Sequence, residues 1–220
     1  EQDVATICSL AAPKLAYLVI PKVESASQLE SAAQLVSRHA SAAGRPDLPV
    51  HVLIETHRAL HEVWDIAAMP GVECLSFGIM DFVSAHYGAV PGDAMRSPGQ
   101  FSHPLISGAK LEIAAACHAH GKVPSHNVCT EIRDLSVVAS DASLANRQFG
   151  FQRMWSIHPD QIRHILAAFA PDAGEIDDAI DILCAAQDSD WGPIQHKSKL
   201  HDRASYRYYW TLLQRAKQTG

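Results

Sequence analysis

An α/β fold with a parallel sheet is what this sequence predicts, and three observations carry the prediction. Short apolar, β-branched runs alternate with stretches of helical periodicity down most of the chain. The first run, residues 15–20, is apolar throughout, as expected of a strand covered on both faces. Two later runs stop at a carboxylate, at Glu55 and at Asp81, one strand–helix–strand step apart. Strict alternation of this kind places the strands side by side and parallel.

Taken in order, residues 4–10 read as the last turns of a helix that breaks near Pro13. After the strand at 15–20, Ser25-x-x-Gln28 has the form of a capping box and opens a helix carrying Leu29, Ala32, Ala33, Leu35 and Val36. Gly44 stops it, and Pro46 and Pro49 bound the way into a strand at 50–54. One helix with Leu60, Val63, Trp64 and Ala67 leads to a strand at 72–77. Residues 89–104 are rich in Gly, Pro and Ser and long for a connection, which predicts a lid or substrate-facing loop. Pro104 starts a helix that Gly121 ends. Residues 122–125 make a weak strand, 131–149 a helix and 152–157 the fifth strand, followed by helices at 160–169 and 174–187. Trp191-Gly192-Pro193 breaks the pattern, a polar loop spans 195–199, and 202–217 form an amphipathic helix. Tyr206, Tyr209, Trp210 and Leu213 make its packing stripe. Five units of this size fall short of an eight-stranded barrel, which typically takes about 250 residues.

Composition narrows the function. With 18 basic and 24 acidic residues the net charge is −6 and no basic run occurs, which argues against a nucleic-acid partner. No apolar run reaches the length of a membrane span. The 13 histidines show no His-x-x-x-His pair of the zinc-protease kind; His118 and His120 are expected at the surface or rim. Five scattered cysteines without Cys-x-x-Cys, and an acidic start without a leader, fit a soluble cytoplasmic protein with reduced thiols.

The strand-end carboxylates admit two readings from the residues alone. On one rim of a parallel sheet, Glu55 and Asp81 repel each other unless a hard cation such as Mg²⁺ sits between them. Alternatively each caps the helix that follows it. Lys22 is open in the same way: it stabilises charge on that rim, or it reaches solvent or pairs with Glu24. His158, ahead of Pro159, reads as an orienting or capping residue.

Four motifs then occur in register: Pro21-Lys22-Val23-Glu24-Ser25, Leu53-Ile54-Glu55-Thr56, Phe77-Gly78-x-x-Asp81 and Ile157-His158-Pro159-x-Gln161-Ile162. Together they resemble the citrate lyase β-subunit/malyl-CoA lyase group of the HpcH/HpaI aldolase superfamily, over nearly the whole chain. The resemblance implies a TIM-type (β/α)8 barrel of the phosphoenolpyruvate/pyruvate type. Residues 1–170 would be its later part, strands 4–8, and 171–220 a C-terminal helical extension or lid. The family's first strands, and an enolate-stabilising Arg they carry, have no counterpart here, and Arg58 is expected to point along its own helix. Implied too are Mg²⁺ on Glu55 and Asp81, substrate contacts at Gly78 and Lys22, and proton transfer by Asp202 closing over a neighbouring subunit. The implied activity is carbon–carbon cleavage, or formation, of a 3-hydroxyacyl-CoA thioester such as citryl-, malyl- or citramalyl-CoA, giving an acyl-CoA and a 2-oxo acid, in a homotrimer or hexamer. A pyruvate-type aldolase acting on free 2-oxo-4-hydroxy acids and a non-catalytic barrel subunit are the alternatives. The stretch 126–131 departs from the pattern expected of citrate lyase subunits and marks a subgroup with another substrate.

Overall fold

A computed structural model of the chain describes residues 1–219. Two compact units are present, Glu1–Ile165 and Leu166–Gly220. In the first, α1 (Gln2–Ala11) runs through a 3-10 turn, Ala12–Lys14, into β1 (Leu18–Ile20). Then follow α2 (Ala26–Ala42), β2 (Val50–Ile54), α3 (His57–His61), α4 (Val63–Ala68), β3 (Val72–Phe77) and α5 (Ile79–Ser84). After a 3-10 turn, Gly92–Met95, come α6 (Gly99–Ser102), α7 (Pro104–Ala119), β4 (Val123–His126), α8 (Leu135–Phe149), β5 (Arg153–Met154) and α9 (Pro159–Phe169). Helix α9 runs on past the boundary between the units.

The five strands form one parallel sheet whose spatial order is the chain order, β1-β2-β3-β4-β5. β2 and β3 are buried along nearly their whole length, and Val52, Ile54, Leu75 and Phe77 pack with Leu29, Ile66, Phe82, Ile106 and Ile113 in the main core. Because every connection brings the chain back to the same end, all five carboxyl ends lie on one rim. The alternation predicted from sequence is therefore the architecture found.

Several boundaries differ, each for a local reason. β1 covers only Leu18–Ile20 of the predicted 15–20 and is half-buried, because it lies at the sheet's edge with β2 as its single partner. Ser25 caps α2 by accepting from the Gln28 N–H at 3.2 Å, but the Gln28 side chain accepts from Glu24, so the box closes one residue early. Helices α3 and α4 are separate since Glu62 leaves helical geometry, and its carboxylate accepts from the Ala26 N–H at 2.8 Å. α8 starts at Leu135, not 131, because Glu131 accepts from the backbone of Arg133 and Asp134 and Asp134 then caps the helix. Only two residues of 152–157 pair as β5. The segment 89–104 is not a free loop: it carries two helical turns and buries Val90, Ala94 and Gln100.

The second unit contains α10 (Ala173–Asp188), a hairpin of β6 (Ile194–His196) and β7 (Lys199–His201), and α11 (Arg203–Thr219). The hairpin replaces the polar loop expected at 195–199. Lys197 and Ser198 at its tip have φ of 46° and 63°, the twist a two-residue hairpin turn requires. Ile182, Leu183, Ala186 and Tyr206 form a small core, with Tyr209 and Leu213 packed against it; Trp210, expected in the stripe, is exposed. No described helix is long and apolar enough to cross a membrane, and all five cysteines are free, four of them buried.

Candidate active site

Three strand ends build the rim site. Glu55 follows β2, Gly78 follows β3 and Asp81 lies in the first turn of α5, while Lys22 follows β1. The Gly78 N–H donates to the Ile54 carbonyl at 2.9 Å, so the β2–β3 ladder continues to the rim and holds Glu55 beside Gly78. A Cβ on Gly78 would lie 2.5 Å from Glu55 Cβ and 2.9 Å from its Oε2. Glycine is therefore required there by close approach, whatever its backbone angle.

Neither carboxylate serves as a side-chain cap, although Asp81 does occupy the first turn of α5, where a helix favours an acid. Thr56, not Glu55, caps α3, accepting from the Ala59 N–H at 3.0 Å. Glu55 turns its buried carboxylate the other way, and its Oε1 accepts from the Lys22 N–H at 2.7 Å. The cap position of α5 is Gly78, without a side-chain cap, and Asp81 is engaged by Lys22. Lys22 Nζ lies 2.5 Å from Asp81 Oδ1 and 3.8 Å from Glu55 Oε2. Lys22 thus pairs with neither solvent alone nor Glu24, which faces Arg58 at 4.0 Å. The electrostatics follow: burial pushes the Glu55 carboxyl up, and the Lys22 hydrogen bond holds Asp81 down and raises the ammonium.

A hard divalent cation fits this donor set. Two carboxylates converge on one point where a cationic group already lies, and the glycine at 78 keeps a Cβ from crowding Glu55 Oε2, which it would meet at 2.9 Å. Among the described residues no third His, Cys, Asp or Glu joins them. Two protein carboxylates, with remaining positions left to water and substrate oxygens, is the usual provision for Mg²⁺.

A second polar cluster, at the carboxyl end of β4, was not read from the sequence. Lys110 is fully buried, with Nζ 2.8 Å from Gln100 Oε1, 2.7 Å from His126 Nε2 and 4.1 Å from the centre of the Phe101 ring. The His126 Nδ1–H donates to the Asn127 carbonyl at 3.1 Å, which leaves Nε2 to accept from the lysine. Gln100 Nε2–H donates to Asp141 at 2.8 Å, and Asp141 also accepts from the Ser97 hydroxyl. Desolvation drives both the Lys110 and the His126 pKa well down, with the Asp141 charge opposing it at the lysine. The sequence signal was available: Lys110 lies one turn after Ile106 and three residues before Ile113, on the stripe of α7 that faces the core.

In the second unit, Asp202 is exposed and caps α11, accepting from the Ala204 N–H at 2.9 Å. Tyr206 Oη fastens the preceding segment by donating to the Gly192 carbonyl at 2.6 Å. His158 takes the capping role expected of it, its Nδ1 accepting from the Asp160 N–H at 3.3 Å. Lys22, Glu55, Gly78 and Asp81 are thus brought together on one rim, and Asp202 belongs to the second unit.

Residues 1–159 match the family described as HpcH/HpaI aldolase/citrate lyase. Among characterised proteins, the L-malyl-CoA/β-methylmalyl-CoA lyase of Rhodobacter capsulatus is 26% identical over 230 residues, covering 98% of this chain and 71% of its own. A crystal structure of a citrate lyase from Burkholderia xenovorans LB400 superposes with a TM-score of 0.91 at 56% identity, over 100% of this chain and 69% of that one. CitE of Mycobacterium tuberculosis, in complex with magnesium, acetoacetate and coenzyme A, shares the fold at 24% identity, with a TM-score of 0.73 over 93% and 69%.

Proposed function

Because the chain belongs to the HpcH/HpaI aldolase/citrate lyase family, we propose that it is a Mg²⁺-dependent carbon–carbon lyase of 3-hydroxyacyl-CoA thioesters. The observation that carries the reading is the convergence of Glu55 and Asp81 on one rim position, opposite the ammonium of Lys22. The magnesium complex of the M. tuberculosis relative and the malyl-CoA substrate of the R. capsulatus relative support it.

In this reading Glu55 and Asp81 hold the cation, which supplies Lewis-acid polarisation and a template for the 2-oxo acid moiety. Gly78 leaves room for Glu55 itself to approach the rim beside the substrate, and the Lys22 N–H keeps the Glu55 carboxylate oriented. In the cleavage direction Asp202 takes the proton of the substrate hydroxyl. The carbon–carbon bond then breaks, and its electron pair passes into the thioester as an enolate while the hydroxyl carbon becomes the oxo group. Protonation of the enolate releases the acyl-CoA. Lys22 opposes the negative charge on the departing oxo acid. Residues 171–220 act as the lid that brings Asp202 to a neighbouring subunit, in a cytoplasmic homotrimer or hexamer.

The experiment is release of 2-oxo acid from malyl-, citramalyl- and citryl-CoA, with Mg²⁺ and with chelator. Turnover of at least one thioester, abolished by the chelator, is the expected result. Cleavage of free 4-hydroxy-2-oxo acids alone, without stabilisation by CoA on melting, would replace the lyase with the aldolase. Inactivity on all of them would leave the non-catalytic subunit.

A further inference from the structure

We infer that Lys22 is a resident occupant of the cation position: its ammonium neutralises Glu55 and Asp81 until a divalent cation enters, and is then released to meet the substrate carboxylate. This rests on the metal-binding reading above and adds an order of events to it. A single ammonium touches both assigned ligands, 2.5 Å from Asp81 Oδ1 and 3.8 Å from Glu55 Oε2. The backbone is committed to the same place. Lys22 has φ of 54°, a left-handed conformation that costs a non-glycine residue energy, and its N–H is fixed on Glu55 Oε1 at 2.7 Å. Its side chain is 60% exposed, so it can leave without opening the core.

A dication and an ammonium compete for the same pair of carboxylates, since the two cations repel at contact distance. Metal entry and the Lys22 ion pairs therefore weaken one another, and the coupling is reciprocal. Once displaced, the ammonium stays tethered to the rim through the Lys22 N–H. There it is a free positive charge beside the position of the oxo acid. An oxo-acid carboxylate thus gains two partners from one metal-binding event.

The test is Mn²⁺ binding to the whole purified chain without substrate, titrated by electron paramagnetic resonance. Lys22→Met is expected to tighten Mn²⁺ by about tenfold or more. Arg58→Met, which removes an equal, exposed charge on α3, is expected to change it by less than about threefold. No gain in Lys22→Met, or an equal gain in Arg58→Met, would overturn the competition. With Mn²⁺ saturating, Lys22→Met should weaken oxalate binding by about tenfold, and unchanged oxalate affinity would overturn the release. A Mg²⁺-bound crystal structure with the ammonium still on Asp81 would do the same. Glu55→Gln tells the two levels apart. Mn²⁺ binding that survives it removes the metal reading itself, whereas its loss there beside unchanged affinity in Lys22→Met removes only the lysine's role.

Discussion

At the scale of single residues, the site rests on contacts too close to tolerate an added methyl group. Gly78→Ala places a Cβ 2.5 Å from Glu55 Cβ, so the rim must part or Glu55 must turn. We expect a loss of about 1–3 kcal/mol in urea unfolding together with weaker Mn²⁺ binding; unaltered values of both would show that the rim yields freely. The buried cluster makes a second prediction. Asp141→Ala strands the donors of Ser97 and Gln100 beside the buried Lys110, and it should cost about 1–3 kcal/mol in the same measurement. Glu55 and Asp81 were legible in the sequence as strand-end carboxylates that either bind a metal or cap a helix, with Lys22 on the same rim. The choice of metal came from the family resemblance and not from position. Lys110 was not legible, since a lysine on a helix is by default a solvated charge, and only its register with Ile106 and Ile113 says otherwise. Gln100 and Asp141 come from distant elements that only the fold brings together.

At the scale of elements, the strands were read more surely at their centres than at their ends. β2 and β3 were found within their predicted limits because both faces are covered and the apolar run matches the paired length. β1 and β5 shrank because edge strands keep only as much ladder as one neighbour supports. The β6–β7 hairpin escaped notice because Lys197-Ser198 lacks the Asn-Gly chemistry that normally marks such a turn. That mismatch is testable: Ser198→Gly should stabilise the second unit by roughly 0.5–1 kcal/mol, read as a higher melting temperature, and a lower one would argue against the left-handed tip. Asp202 belongs to the same scale. As the cap of α11 it should accept Asn without loss of melting temperature. As the base it should not, and Asp202→Asn is expected to lower turnover by ~10²-fold or more. Full turnover in that variant would confine Asp202 to capping.

For the whole molecule, two buried histidines tie stability to acidity. Desolvation lowers the pKa of His51, where the Glu73 contact opposes it, and of His126, where Lys110 adds to it. The unfolded chain therefore binds more protons than the folded one below the ordinary histidine value of 6.5. The stabilisation is complete above that value and is lost as pH falls beneath it. Calorimetric melting from pH 8 to pH 5 should show the decline, and a His51→Asn, His126→Asn double variant should show a shallower one; an equal slope would assign it to other groups. The order of strands and helices was readable at this scale because a parallel pair needs a crossover long enough to leave a periodic helical signature. The identical ordering of strands in sequence and in space reaches further, to how the chain is made. As the polypeptide leaves the ribosome, β2 finds β1 already outside, β3 finds β2, and β4 and β5 follow in turn. Each new strand of the described sheet meets the neighbour it pairs with already made, and no edge waits longer than the next strand in the chain, so the sheet can grow at the pace of synthesis.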